Sequence, residues 1–271
     1  MESNSPHHNR RSGDHDWSLP TASLPRLNRK EILNCPSHST EIEAKFLVPA
    51  HVSKQVTKGL SFTLIEQRYF PRTMTSELLR EFQVAQMVPG IEDFSSARIR
   101  RAKTPSGEIS YAIEFKGKKA SFEGSRIFRR EFGITLPHDV YSQLLSNATG
   151  GAIRKHRFDI DGNIEHGGKR SPATAQVDVV THAGVFLDKV KVDFCTVDIE
   201  LPVVEFITSL RAGKHSWRFL DSCLDITFNE SDATRALSTR KVAKNGFDDE
   251  RQKALKTLEK QLKKAPKRDK N

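Results

Sequence analysis

The chain has 271 residues, with 44 Lys plus Arg against 34 Asp plus Glu, a formal net charge of +10 and a pI near 9.6. That length can bury the core of one large domain, and no run approaches the roughly 18 to 20 apolar residues of a membrane helix. Three well-separated cysteines, Cys35, Cys195 and Cys223, exclude a disulfide framework and a cysteine-based zinc site. With no secretory-type leader, the expectation is a cytoplasmic protein that does not use a membrane, and its basic excess favours polyanionic partners.

Residues 1–38, rich in Ser, Pro, Asn and His, are expected as a disordered tail. Residues 39–240 form the folded domain, in which short runs rich in β-branched and aromatic residues predict strands. In chain order these lie near 40–48, 62–70, 96–102, 109–117, 126–135, 153–160, 175–181 and 190–201. Helices are predicted at 50–58, 75–87, 137–148, 203–212 and 214–222. Residues 241–271 end the chain: Leu255, Leu258 and Leu262 at helical spacing predict one amphipathic helix before a basic tail.

Side chains alternate across a strand, so residues two apart share a face. In Glu41-Ile42-Glu43-Ala44-Lys45-Phe46 one face is Glu, Glu, Lys and the other Ile, Ala, Phe. The same division recurs in Arg98-Ile99-Arg100, in Glu114-Phe115-Lys116, in Arg129-Arg130-Glu131, in Lys155-His156-Arg157, in Val177-Asp178-Val179 and in Asp198-Ile199-Glu200. One solvated face of an antiparallel sheet explains any one strand. A solvated face ordinarily mixes Thr, Ser and Gln with Lys, however, whereas these faces are dominated by ion-binding groups. The expected fold is therefore α+β: an eight-stranded antiparallel β-barrel with a charged tunnel inside and helices packed outside.

Unpaired buried charges cost several kcal/mol each, so such an interior calls for water, metal ions or a multiply charged ligand. Arginine holds phosphate oxygens bidentately and lysine acts as a point charge, so the basic set matches a chain of phosphates. Clustered carboxylates match Mg²⁺ or Mn²⁺, hard cations that prefer oxygen. Phosphoryl transfer needs mainly positioning and charge stabilisation. The sequence shows no GxSxG, Walker loop, HExxH or zinc-finger spacing.

These residues resemble, in order along the chain, the motifs of the CYTH family, also called triphosphate tunnel metalloenzymes. Glu41-Ile42-Glu43-Ala44-Lys45 is similar to its opening ExExK motif, and Gln67-Arg68-Tyr69 to its Gln-x-Tyr element. Arg98-Ile99-Arg100 resembles RxR, Phe115-Lys116-Gly117 resembles LKG, Arg129-Arg130-Glu131 resembles RxE, Lys155-His156-Arg157 resembles KxR and Asp198-Ile199-Glu200 resembles the late ExE. The resemblance covers about residues 40 to 240. It implies an eight-stranded barrel that hydrolyses a triphosphate, whether inorganic tripolyphosphate, thiamine triphosphate or a nucleoside or RNA 5′-triphosphate. Lys45, Arg98, Arg100, Lys116, Arg129, Lys155 and Arg157 would bind phosphate. Glu41, Glu43, Glu131, Asp198 and Glu200 would hold Mg²⁺ or Mn²⁺, with Glu43 and Lys155 catalytic and Lys155 able to protonate the leaving phosphate. The alternatives are a class IV adenylyl cyclase and a non-catalytic triphosphate sensor. RNA is the lesser partner, suggested by the basic tail.

Three departures stand out. Gly133 occupies a position the family often makes acidic, Asp198 replaces the more usual Glu, and extra segments run from Met74 to Phe94 and from Thr181 to Lys191.

Overall fold

The computed structural model describes residues 37–84, 94–118, 120–122, 125–184, 191–227, 237, 241–242, 244 and 249–264. Almost all of the expected N-terminal tail, the basic end of the C-terminal tail and part of each extra segment lie outside these residues.

Every predicted strand is present: β1 (Ser37–Leu47), β2 (Thr63–Tyr69), β3 (Phe94–Lys103), β4 (Ile109–Gly117), β6 (Ser125–Thr135), β7 (Ala152–His166), β8 (Lys169–Gly184) and β9 (Lys191–Glu200). Among the described residues the expectation of eight is corrected to ten, because the short β5 (Ala120–Phe122) and β10 (Leu224–Asp225) extend the ends. All pairings are antiparallel, in the order β10-β1-β9-β8-β7-β2-β3-β4-β6-β5. Strand β1 joins both arms of this order. Its first half, Ser37–Ile42, pairs with β6, and its second half, Glu43–Leu47, pairs with β9. No residue of β1 is laddered to both, so no unbroken ring of ladders forms, and the expected closed barrel is corrected to an antiparallel sheet whose two arms meet at successive halves of β1.

The apolar sides of the strands carry the helices. Strands β1, β8 and β9 present Ile42, Ala44, Val177, Val197 and Ile199 to α1 (Ala50–Val56) and α4 (Glu205–Arg211). Strands β3, β4 and β6 present Ile99, Ile113, Phe115, Phe132 and Ile134 to α2 (Thr75–Glu81) and α3 (His138–Leu145). Burying such side chains stabilises by about 1.5 to 3 kcal/mol each. A third cluster lies at one end of the charged face. There Leu47, Tyr69, Ile153 and Val180, each two residues from Lys45, Gln67, Lys155 or Asp178, meet Ala254 and Leu258 of α5 (Asp249–Lys264).

Two elements depart from the sequence expectation. The predicted helix 214–222 is only a 3-10 turn, Arg218–Ser222. The residues before it are drawn out along the β7–β8 hairpin, where His215 bridges to Ile164 and the Trp217 indole donates to the Ile160 carbonyl at 2.9 Å. Strands β7 and β8 run far beyond their predicted ends, to a Gly167–Gly168 turn with φ of 56° and 75°. Positive φ at both positions suits a two-residue hairpin turn. Gly162 makes room for the strap: a β-carbon there would lie 2.4 Å from the Trp217 ring.

Candidate functional site

Register, rather than proximity in sequence, assembles the charged face. Across the ladders Glu43 stands opposite Glu200 and Lys45 opposite Asp198. Arg98 faces Glu114, Lys116 faces Glu131 and Arg157 faces Asp178. Opposed residues share a face in antiparallel pairs, so the alternation predicted strand by strand becomes one continuous polar surface.

All seven predicted phosphate-binding side chains lie on it, and each is ion-paired. Arg98 and Arg100 share Glu114, Arg100 at 2.7 Å. Lys155 and Arg157 share Asp178, with Arg157 donating to both carboxylate oxygens at 2.8 Å. Lys116 and Arg129 share Glu131, Arg129 at 3.2 Å. Lys45 lies 2.6 Å from Asp198 and 3.9 Å from Glu43, which is also 3.8 Å from Arg129. Glu200 is exposed at the end of β9. Glu41 is placed by register alone, opposite Arg129, because its side chain lies outside the described residues.

Two carboxylates outside the expected metal set organise the basic side chains. The sequence places Glu114 and Asp178 on the charged faces without an assigned role, and in the structure each sits between two bases. The signal was available: Glu114 shares a face with Lys116, and Asp178 lies alone between Val177 and Val179. Gly133 is the register partner of Glu114, so β4 sets a carboxylate beside the position that β6 leaves without one. Gln67 is buried opposite Arg100, and its side-chain oxygen has no hydrogen-bond partner.

Electrostatics divide the surface in two. Burial alone would raise the Glu114 carboxyl, but Arg98, Arg100 and Lys116 outweigh it and hold its pKa down at about 2. Asp178 is likewise held far below the usual carboxylate range by Lys155 and Arg157, against its burial. Asp198 moves the other way, to about 6, through burial first and then the neighbouring Glu43, which Lys45 only partly offsets. Lys155 falls to about 8, because burial outweighs its attraction to Asp178 and Arg157 adds repulsion. Lys45 rises, since Asp198 and Glu43 overcome its burial.

The carboxylates Glu43, Asp198 and Glu200 offer the hard oxygen donors that Mg²⁺ or Mn²⁺ prefers, and Asp198 is raised by burial first and by the adjacent Glu43 second. The donor chemistry therefore fits a divalent cation. Among the described residues no three Asp, Glu, His or Cys groups are already gathered around one point; Lys45 and Arg129 stand between the carboxylates instead.

An antiparallel sheet with helices on its apolar side and a continuous, ion-paired polar face defines the class. No family model matches the chain, and no curated protein matches it. Solved structures similar to it include NE1496, described once as a hypothetical protein and once as an inorganic triphosphatase. The first has 17% identity and a TM-score of 0.34, covering 75% of this chain and 97% of that one. The second has 15% identity and a TM-score of 0.35, covering 76% and 95%. Another is HpAC1 from Hippeastrum, a cyclase candidate with a dominant triphosphatase activity, at 13% identity and a TM-score of 0.43, covering 72% and 94%. At these scores the likenesses carry no part of the functional argument, which rests on the side chains above.

Proposed function

We propose that the protein is a divalent-metal-dependent triphosphate phosphohydrolase whose substrate lies in a tunnel lined by the polar face of the sheet. One observation carries this reading: seven Lys and Arg side chains converge on one surface, each already paired with a carboxylate oxygen. Exchange of carboxylate for phosphate keeps every buried cation paired, and charge-assisted contacts to phosphate are among the stronger hydrogen bonds.

In this reading Arg98, Arg100 and Arg157 grip the phosphates through their planar guanidinium groups, while Lys45, Lys116 and Arg129 supply further positive charge at the other side. Glu43, Asp198 and Glu200, with Glu41 and Glu131 beside them, would hold Mg²⁺ or Mn²⁺. Such an ion, when bound, offsets phosphate charge and lowers the pKa of water. Lys155, with a pKa of about 8, is protonated at neutral pH and close enough to its deprotonation point to hand a proton to the leaving phosphate oxygen.

The test is phosphate release from tripolyphosphate and from ATP with Mg²⁺ or Mn²⁺, alongside Glu43→Ala. Release that disappears in the variant supports the hydrolase, and the substrate ratio ranks tripolyphosphate against nucleotide. Cyclic AMP and pyrophosphate from ATP would replace the reading with a cyclase. Tight tripolyphosphate binding without turnover at either metal would replace it with a sensor.

A further inference from the structure

The strands that send Arg98, Arg100, Lys155 and Arg157 to the polar face send their alternate residues outward, and between the two helix-covered regions one row of those outward residues is mostly charged. Direct register partners form a row across five strands: Tyr111 on β4, Arg101 on β3, Glu66 on β2, Arg154 on β7 and His182 on β8. At about 4.8 Å per strand the row spans about 19 Å. Glu66 is its one acid, at 3.3 Å from Arg101 and 2.6 Å from Arg154, and both arginine side chains remain about one-third exposed, at 29% and 34%. The next row runs Ile109, Lys103, Leu64, His156 and Val179, with Lys103 exposed and His156 half-buried.

Aromatic rings flank these cations on both sides. Phe62, 39% exposed, stacks on His156 with ring centroids 4.0 Å apart and planes 17° apart. At the other edge the half-buried Tyr111 packs on the buried Tyr141, 4.7 Å between centroids, so Phe62 is the exposed ring of the two edges.

We propose that this outer face is a docking surface for single-stranded RNA, separate from the polar interior. Arginine and lysine edged by an exposed aromatic ring on a β-surface meet the two needs of a single strand, phosphate neutralisation and base stacking. The flanking aromatics argue against a surface for bare polyphosphate, which has nothing to stack. Glu66 favours ribose: a carboxylate amid arginines repels phosphate but accepts a hydrogen bond from a 2′-hydroxyl.

The test uses the full chain and a short 5′-hydroxyl oligouridylate, which carries no triphosphate for the interior to capture. Fluorescence anisotropy is read between about 50 and 200 mM salt. The double variant Arg101→Gln/Lys103→Gln is expected to weaken binding and to flatten the log–log salt slope by about 1.4, two contacts at about 0.7 each for a single strand. Phe62→Ala should weaken binding about fivefold or more while leaving the salt slope in place. Both variants should hydrolyse tripolyphosphate as the parent does and keep its melting temperature. Should the double variant fail to fold, Phe62→Ala decides alone. Unchanged affinity in Phe62→Ala and in a folded double variant overturns the proposal and moves RNA binding to the basic tail. Equal or tighter binding of duplex RNA, of the matching DNA strand or of acidic vesicles overturns it too, since a non-stacking, sugar-blind surface would then explain the charge. Competition by tripolyphosphate would show that the interior binds the oligonucleotide, and would likewise overturn it.

Discussion

The two walls of the polar face use the same residue types to opposite effect. On β3, β4, β7 and β8 each carboxylate is shared by two bases: Glu114 by Arg98 and Arg100, Asp178 by Lys155 and Arg157. Both acids are driven well below their usual range. On β1 and β9 the ratio reverses, with Glu43 and Asp198 both beside Lys45, and Asp198 rises to about 6. The sign of a carboxylate's shift therefore reports which charge is in excess locally, burial being common to both walls. Excess cation prepares one wall for phosphate, and excess anion prepares the other for a metal ion.

Breaking the acidic wall should have the largest effect. Glu43→Ala removes the carboxylate that contributes most among charged neighbours to the Asp198 shift, so turnover with Mg²⁺ or Mn²⁺ is expected to fall about a hundredfold, the upper end of what positioned metal partners contribute. Thermal unfolding should be little changed, because the substitution relieves repulsion. Phosphate release at parental rates would show that this wall holds no catalytic metal.

The basic wall answers to stability first. Asp178 is 3% exposed and neutralises two buried bases, so Asp178→Asn leaves Lys155 and Arg157 without their counter-charge. Breaking a buried pair in this way costs about 3 to 5 kcal/mol, measured by chemical denaturation. Tripolyphosphate should restore much of that loss, since phosphate replaces the missing carboxylate. An equal loss in the presence and absence of the anion would mean that Lys155 and Arg157 do not reach the ligand.

How much of this was legible in advance follows from what each feature depends on. The alternation that separates Ile42, Ala44 and Phe46 from Glu43 and Lys45 is a property of one strand, and it located the site residues. Which acid meets which base is a property of register between strands distant in sequence, as with Arg157 and Asp178, and alternation within a strand is silent on it. The distal β7–β8 hairpin was unreadable for another reason. Asp161, Gly162, Asn163 and Pro172 are poor strand formers, and the order there comes from the Trp217 strap.

Arg100 offers a finer cut within the basic wall. It shares Glu114 with Arg98 but is 34% exposed along its side chain against 14% for Arg98. Arg100→Ala should therefore weaken triphosphate binding by about 1.5 kcal/mol, the low end for a charge-assisted contact, seen as a raised KM. An unchanged KM and kcat would place Arg100 outside the binding path.

The smallest effect is a titration, and its two signs make it specific. Lys155 is charged below a pKa of about 8 and neutral above it, so affinity for tripolyphosphate should decline as pH rises through about 8. The decline is at most about tenfold per unit, the limit for one proton. Stability moves the opposite way. Between about 8 and the ordinary lysine value near 10.5 the unfolded chain holds this proton and the folded chain does not, so the Lys155 contribution to stability increases with pH across that window and is lost again as pH falls through about 8. Lys155→Arg keeps the charge throughout and should remove both trends together. Persistence of either trend in that variant would assign the titration to a group other than Lys155, and the proton-donor role with it.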